Sequence, residues 1–458
     1  MLRRLATAVL ILSFGYILVD RVWLLLVSFQ PSTINNGVHT GTTSSSGKWD
    51  LFYHLGGNGP WIPHHSGLGT IDDPLPSHCT VDQVHMISRH GERYPTRNAG
   101  NRHLQLLARL KGHTRPYAGT AQAERTGNKF RALYGHLIRP NSNGHHSPTR
   151  FWTCSSPRDI ETAQHFANGF FGPTWATENL AHLEIIPEVA SRGADTLTPG
   201  DTCLNYIADK VNGHDKGYAK LAAWQKVFTA PIARRLAGDV DGMELSPLDV
   251  YSMMELCGFE TLVRGSSPWC DVFTREEWED FEYGRDLLHF YRAGPGNEFS
   301  KVMGWLWLNA TAELLSNKED ENAYFSFVHD GDIVPLLSAL QILNEEGEQE
   351  LPTDHVKRDR AWVTSDVVPM SGRMIFERIA CSPADGGEKR RYVRMSINDG
   401  VVRLPGVPEV FLRGEAPNAV LLPFFTGFVA EKGEEYGDYK EVCGLDEDAP
   451  GKISFLHQ

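Results

Sequence analysis

The residues of this chain best suited to chemistry stand close together, with one histidine between two arginines at Arg89, His90 and Arg93. They follow an apolar run, Val81–Ile87, which is typical of a buried strand. A neutral histidine is a nucleophile, and guanidinium groups bind phosphate oxygens through planar, two-point hydrogen bonds. The pattern therefore favours a site for a phosphate ester, in which His90 attacks phosphorus.

Two later segments carry polar groups that suit the same chemistry. Arg158 follows a Ser-Ser-Pro sequence that is typical of a helix start, with Ser156 as the cap and Pro157 in the first turn. His329 and Asp330 end an apolar, strand-like run. A helix start and a solvated turn account for these segments when each is taken alone, so only their combination with the first segment points to one site.

In order and rough spacing, the three segments resemble the histidine acid phosphatases, especially the fungal and yeast-type secreted acid phosphatases and the related fungal phytases. The resemblance extends from about Cys79 to the C-terminus. The first segment matches the family signature at Arg89, His90, Gly91, Arg93 and Pro95. The resemblance implies a secreted or cell-surface enzyme that hydrolyses phosphate monoesters.

The resemblance also implies a role for each of these side chains. His90 is the nucleophile that forms a phosphohistidine intermediate, with its second ring nitrogen donating to a backbone carbonyl. Asp330 is the general acid that protonates the leaving group, which predicts the highest activity at acidic pH. The phosphate-binding side chains are Arg89, Arg93, Arg158 and His329. Because the arginines neutralise the phosphate charge, we expect neither a metal ion nor another cofactor.

The 7 cysteines, in a chain that begins with an apolar segment, indicate three disulfides and one free thiol. Their spacing alone leaves several pairings open. The resemblance implies the pairs Cys79–Cys381, Cys203–Cys443 and Cys257–Cys270. Cys154 is then a buried, inert thiol. One sequon, at Asn309, predicts glycosylation of a chain in the secretory pathway.

The N-terminal part is expected to direct or tether the chain, and the aromatic residues of its arm (Trp49–Tyr53 and Trp61) are expected to dock onto the folded body. Residues 1–29 combine a basic start with an apolar run that Asp20 and Arg21 interrupt, which fits either a cleaved signal peptide or an uncleaved signal anchor in the membrane. Residues 30–75, rich in Ser, Thr, Gly and Asn, are interpreted as an extended polar arm. The catalytic part is then secreted, bound in the cell wall or anchored to the membrane, outside the cytosol.

Strands, loops and helices alternate after the arm, which predicts an α/β fold with a central, largely parallel mixed sheet flanked by helices. Histidine phosphatases and phosphoglycerate-mutase-like proteins have this fold. We assign residues 76–173 and 305–458 to the catalytic domain and residues 174–304, with their helical periodicity, to an α-helical inserted domain. Predicted helices include Asn101–Lys111, Thr120–Ile138, Pro247–Leu256 and Arg275–Arg292.

The net charge of -13 argues against a nucleic-acid partner and is compatible with small phosphomonoesters as substrates. Phytate, with six phosphates, needs several basic residues around the site. The inserted domain offers scattered ones that are typical of a solvated helix face, namely Lys210, Lys216, Lys220, Lys226, Arg234 and Arg235. These residues and Glu92 within the signature favour a broad acid phosphatase.

Three alternatives remain. A phytase of the same family is the nearest one. A phosphoglycerate-mutase-like transferase shares the Arg-His-Gly start, but the disulfide pattern and Asp330 argue against it. A pseudoenzyme that only binds phosphorylated ligands is the most remote, since every expected catalytic residue type is present. The oligomeric state does not follow from the sequence.

Overall fold

One mixed β-sheet runs through the part of the chain that the computed structural model describes. Its strands are β1 Cys79–Arg89, β2 Thr149–Cys154, β3 Ala181–Ile186, β4 Ala323–Val328, β5 Arg373–Cys381, β6 Arg390–Ile397, β7 Gly400–Val402 and β8 Val420–Leu421. The strand order is β3-β2-β4-β1-β5-β6-β7, and β8 pairs with β6. The first four strands of this order are parallel, and the others pair antiparallel. The predicted α/β class with a mixed sheet is confirmed, with the parallel strands confined to the half that carries the predicted site.

The structure describes residues 49–62, 68–71, 73–110, 120–138, 148–238, 243–317, 322–343, 350–383, 387–407 and 415–458. Residues 50–458 form one compact unit. The segment interpreted as a signal peptide or signal anchor, residues 1–29, lies outside the described residues. None of the helices within the described ranges is long and apolar enough to cross a bilayer.

Helices cover the sheet and fill the long connection between β3 and β4. Their bounds are α1 Arg97–Arg109, α2 Thr120–Tyr134, α3 Pro157–Phe171, α4 Pro199–Thr202, α5 Leu204–Ala208, α6 Asp215–Leu236, α7 Pro247–Arg264, α8 Arg275–Arg292, α9 Ser300–Ser316, α10 Asp330–Ala339, α11 Thr364–Val367, α12 Leu422–Tyr436 and α13 Tyr439–Cys443. α4 to α8 lie within the predicted inserted domain, and α9 crosses its predicted end at residue 304. The boundaries at residues 174 and 304 remain a prediction.

Local capping explains where α1 begins and where α7 ends, which both differ from the predicted bounds. α1 begins before the predicted Asn101 because the Thr96 hydroxyl accepts a hydrogen bond from the Ala99 N–H at 3.4 Å. α7 continues past the predicted end at Leu256 and stops where Gly265 adopts the left-handed conformation, with φ of 78°. β3 is an addition that the sequence pattern did not predict.

A cluster of phenylalanines fixes α3, the helix that carries Arg158, against the parallel strands. The Phe166 ring centroid lies 5.0 Å from that of Phe325 and 5.2 Å from that of Phe327, both on β4. Phe130 of α2 packs edge-on against Phe166 at 5.7 Å. Because these rings are almost fully buried, the position of α3 depends on apolar packing rather than on the polar site at its N-terminus.

Two glycines let α2 and α3 cross with their backbones in contact. A Cβ atom at Gly127 would overlap the carbonyl oxygen of Phe166, and one at Gly169 would overlap the carbonyl oxygen of Glu124. Only hydrogen atoms fit at both positions, so this crossing requires glycine in each helix.

The structure contains the three disulfides that the resemblance implies: Cys79–Cys381, Cys203–Cys443 and Cys257–Cys270. Cys79 and Cys381 are also register partners in the antiparallel pair of β1 and β5. Cys154 is the free cysteine and is buried.

Replacing Gly169 by alanine should destabilise the protein by about 1–3 kcal/mol, because the added methyl group forces α2 and α3 apart. Thermal unfolding of the purified, disulfide-intact protein measures the effect. Gly427→Ala on α12 is the matched control, since a Cβ there meets no atom within 4 Å. It should leave the unfolding temperature unchanged or raise it, as alanine favours helix by up to about 1 kcal/mol. Equal stability of Gly169→Ala and the parent would contradict the close crossing.

Candidate active site

The predicted site forms where the parallel strands β1 and β4 end side by side. Their register places Arg89 opposite Val328, so the next residues, His90 and His329, are neighbours. The His90 N–H donates to the Val328 carbonyl at 2.9 Å. The two imidazole centroids lie 6.0 Å apart with the rings edge to face. Carboxyl ends of adjacent parallel strands thus bring together two segments that are far apart in the sequence.

His90 presents an unprotonated ring nitrogen. Its Nδ1 lies 2.8 Å from the Gly91 carbonyl oxygen, which can only accept, so Nδ1 carries the proton and Nε2 has a free electron pair. The Arg93 Nε donates to this Nε2 at 3.3 Å. Burial, then the charges of Arg89, Arg93 and Arg158, hold the pKa of His90 well below its usual value. His90 is therefore neutral and has the form of a nucleophile.

Arg89 is completely buried and held from three sides. Its Nη1 donates to the carbonyl oxygens of Gly57 at 2.5 Å and Val368 at 2.6 Å. Its Nη2 lies 2.8 Å from Asp330 Oδ2. Gly57 belongs to a short 3-10 helix, Gly56–Asn58, within the stretch interpreted as an arm. These contacts fix the guanidinium plane beside His90, so Arg89 needs no reorientation to bind a ligand there.

His329 lies between two carboxylates. Its Nδ1 is 3.1 Å from Asp159 Oδ2, and its Nε2 is 3.3 Å from Glu188 Oε2. Arg158, at the start of α3, places Nη2 at 2.9 Å from the same Nδ1. Burial lowers the pKa of His329, but hydrogen bonds with Asp159, Cys154 and Glu188 raise it to well above the usual value. His329 therefore contributes a positive charge beside Arg158.

Asp330 occupies the first position of α10. Burial alone would raise its pKa, but Arg89, then His289 and Arg292, hold the pKa of Asp330 well below the usual value. Arg292 Nη1 lies 3.6 Å from Asp330 Oδ1. The surrounding cations thus favour the carboxylate form, whereas a general acid has to be protonated.

All the predicted catalytic and phosphate-binding residues lie in this one cluster, and α8 adds three basic residues that sequence analysis missed: Arg285, His289 and Arg292. Arg285 donates from Nη2 to His289 Nε2 at 3.1 Å. The pKa of His289 lies well below its usual value, chiefly because of burial. Because positions i, i+4 and i+7 lie on one face of a helix, these three residues form a basic face of the predicted helix Arg275–Arg292. This basic face is the signal by which sequence analysis could have found them. Asp159 and Glu188 were also missed.

Comparisons with known proteins identify the family of this chain. A family model described as histidine phosphatase superfamily (branch 2) matches residues 80–398. The chain is 32% identical over 453 residues to a phytase of Candida albicans, covering 91% of this chain and 92% of the relative. It is 30% identical over 449 residues to an acid phosphatase of Komagataella pastoris, with 89% and 90% covered. The crystal structure of the phytase from D. castellii matches with a TM-score of 0.77 at 28% identity, covering 92% of this chain and 94% of that one. The chain, with its buried histidine between arginines, therefore belongs to branch 2 of the histidine phosphatase superfamily.

Proposed function

We propose that this protein is an acid phosphatase that hydrolyses phosphate monoesters through a phosphohistidine at His90. The observation that carries the proposal is the neutral imidazole of His90: its unprotonated Nε2 accepts from Arg93, and the charges of Arg89, Arg93 and Arg158 disfavour its protonation. Membership of the histidine phosphatase superfamily and the acid phosphatases among the relatives support the same activity.

In the first step, His90 Nε2 attacks phosphorus, a nitrogen–phosphorus bond forms and the ester oxygen–phosphorus bond breaks. The electron pair of the broken bond leaves on the ester oxygen, which takes a proton from Asp330. Four cationic groups stabilise the charge on the phosphoryl oxygens: Arg89, Arg93, Arg158 and His329. In the second step, water gives its proton to Asp330 and attacks phosphorus, which releases phosphate and restores His90.

The charge around Asp330 connects this mechanism with acidic pH. The cations that stabilise its carboxylate are the groups that would bind the phosphate. A phosphate dianion would share these cations and bring a negative charge close to Asp330, and both effects raise the pKa of its carboxyl group. Substrate binding and a low pH therefore act together to supply the proton that the leaving group needs.

The contacts of the basic residues in the inserted region favour simple phosphomonoesters over phytate as substrates. Lys216 donates to the Gly296 carbonyl at 2.9 Å, and Arg235 pairs with Glu277. Lys220 lies over the Tyr291 ring at 4.6 Å. Side chains with such partners are poorly placed to meet the many phosphates of phytate. Phytase activity is the second candidate, because the relatives from Candida albicans and D. castellii are phytases.

Three disulfides favour an extracytoplasmic location. We propose secretion or display at the cell surface, with residues 1–29 as the signal or anchor. Asn309 lies on α9, where its side-chain amide donates to Glu313 at 3.0 Å. Its glycosylation stays a prediction.

Replacing His90 by alanine should lower turnover of phosphomonoesters by at least about 1000-fold, because no other group replaces the nucleophile. Phosphate release at saturating substrate measures the loss. Rapid quenching should trap an alkali-stable, acid-labile phosphoenzyme in the parent protein and none in the variant. His355→Ala, at an exposed histidine, is the control and should keep full activity. An active His90→Ala protein would exclude the phosphohistidine route.

Asp330→Asn should slow esters with poor leaving groups far more than activated aryl esters. We expect a loss of about 100-fold or more in kcat/KM for glycerol phosphate, and less than about 10-fold for p-nitrophenyl phosphate, whose leaving group needs no proton. Steady-state kinetics with both substrates on the same preparation provide the comparison. Equal losses on the two substrates would assign Asp330 a role other than the general acid.

The substrate preference can be measured with glycerol phosphate and phytate at about pH 4–5 in the presence of a metal chelator. The main proposal predicts a higher kcat/KM for glycerol phosphate. A strong preference for phytate would replace it by the phytase assignment. Activity that disappears with the chelator would contradict charge neutralisation by arginines alone.

A further inference from the structure

Three potential metal ligands meet at the ends of neighbouring parallel strands. Cys154 is the last residue of β2, Glu188 follows the end of β3, and His329 follows the end of β4. The Cys154 Sγ lies 3.5 Å from His329 Nε2, which lies 3.3 Å from Glu188 Oε2. All three ligand atoms lie within 4.8 Å of one another.

These separations fit tetrahedral coordination. Zinc binds sulfur at about 2.3 Å and imidazole nitrogen or carboxylate oxygen at about 2.0–2.1 Å. At the tetrahedral angle, such bonds place sulfur and nitrogen about 3.5 Å apart and nitrogen and oxygen about 3.3 Å apart. The distances from His329 to Cys154 and Glu188 therefore match a metal at the centre of the cluster, and the Arg158 guanidinium, whose Nη2 lies 3.4 Å from His329 Nε2, has to move aside when the metal binds.

Neighbouring groups already orient the ligands. Asp159 Oδ2, 3.1 Å from His329 Nδ1, can accept the proton of that nitrogen and leave the electron pair on Nε2. Ser156 donates to Glu188 from its backbone N–H at 2.6 Å and from its hydroxyl at 3.2 Å. A carboxylate that orients a histidine ligand is the usual outer-shell partner of a metal site.

We propose that Cys154, Glu188 and His329 form a binding site for a thiophilic divalent cation such as Zn²⁺ or Cd²⁺, and that the bound cation inhibits the enzyme. A thiolate ligand selects such cations over Mg²⁺ and Ca²⁺, which prefer oxygen. When the metal binds, the Cys154 thiol and Nε2 of the His329 imidazolium each release a proton to solvent, so that Cys154 binds as a thiolate and His329 as a neutral imidazole. Inhibition follows because His329 then contacts the metal instead of the phosphoryl group, a consequence that rests on the proposed function.

Solvent reaches two of the three ligands of the cluster. Cys154 is buried, whereas the side chains of His329 and Glu188 are 16% and 19% exposed. The cation would therefore meet Glu188 and His329 first and Cys154 last. Cys154 is separated from His329 by 175 positions and Glu188 from His329 by 141, so no motif spacing reveals the site and the sequence alone predicts no metal.

Cadmium binding tests the site without any substrate. The other six cysteines form disulfides, so a cadmium thiolate can form only at Cys154. Titrating the full chain with Cd²⁺ should produce one equivalent of the ultraviolet charge-transfer absorption of a cadmium thiolate. Cys154→Ser should lose this absorption, and Glu188→Gln, which keeps the thiol, should weaken Cd²⁺ binding at least about 10-fold. His54→Asn, in a histidine–carboxylate pair that has no cysteine, should bind Cd²⁺ like the parent.

Phosphatase activity then tests the inhibition, with each variant compared with its own metal-free rate. Cd²⁺ should inhibit the parent reversibly, with activity restored by a chelator, while Mg²⁺ at the same concentration has no effect. In Cys154→Ser the half-inhibitory concentration of Cd²⁺ should rise at least about 100-fold, since the loss of an outer-shell partner alone costs 10–100-fold.

Each outcome decides one part of the proposal. A parent protein without the cadmium thiolate band, or a band that persists in Cys154→Ser, would overturn the metal site. A band without loss of activity would overturn the inhibition and keep the site. A protein that binds Cd²⁺ but releases no phosphate at all would overturn the proposed function alone, because the absorption is measured without substrate.

Discussion

The register of β1 against β4 is the constraint on which the site depends. With Arg89 opposite Val328, the peptide that follows each strand emerges at the same edge, and His90 meets His329. Side chains alternate between the faces of a strand, so a shift by one residue would turn Arg89 away from Asp330. The Phe166 cluster, the close helix crossing and the Cys79–Cys381 disulfide all act on these strands or their direct neighbours. They preserve one register and, through it, the catalytic geometry.

The charges of the arginines and carboxylates explain why this geometry suits the proposed phosphate chemistry. Several guanidinium groups lie close together in the site, and their mutual repulsion favours any arrangement that brings negative charge between them. The protein supplies part of that charge with Asp330, Asp159 and Glu188. Under the same field His90 stays neutral, which a nucleophile requires, while His329 is charged because carboxylates flank it. Two histidines with their ring centroids 6.0 Å apart thus take opposite protonation states from their local partners.

The sequence was sufficient to predict those parts of the site whose residues are contiguous in the chain. A strand that runs into Arg89–Arg93, a helix start with proline in its first turn at Arg158 and a strand that runs into His329 are local patterns with local causes. The predicted capping by the Ser156 side chain is not formed, because its hydroxyl donates to Glu188 instead. The basic face of α8 was not recognised, because charged residues at helical spacing are typical of a solvated surface until a neighbouring element is known to cover them. Glu188 follows β3, a strand with weak alternation, and only the sheet order brings it to His329. Long-range pairing was therefore the missing information, rather than side-chain chemistry.

The Gly57 carbonyl gives the N-terminal stretch a part in the active site. It is a backbone atom, so no side-chain substitution deletes its hydrogen bond to Arg89. Cutting the chain does delete it: a protease that trims past this point removes one of the two carbonyl acceptors that Arg89 has within the described ranges. The clipped protein would still contain every strand and disulfide described above, since all of them begin at or after Cys79. A purified sample can therefore be correctly folded and still lack this hydrogen bond. N-terminal sequencing or an intact-mass measurement distinguishes the clipped protein from the intact one.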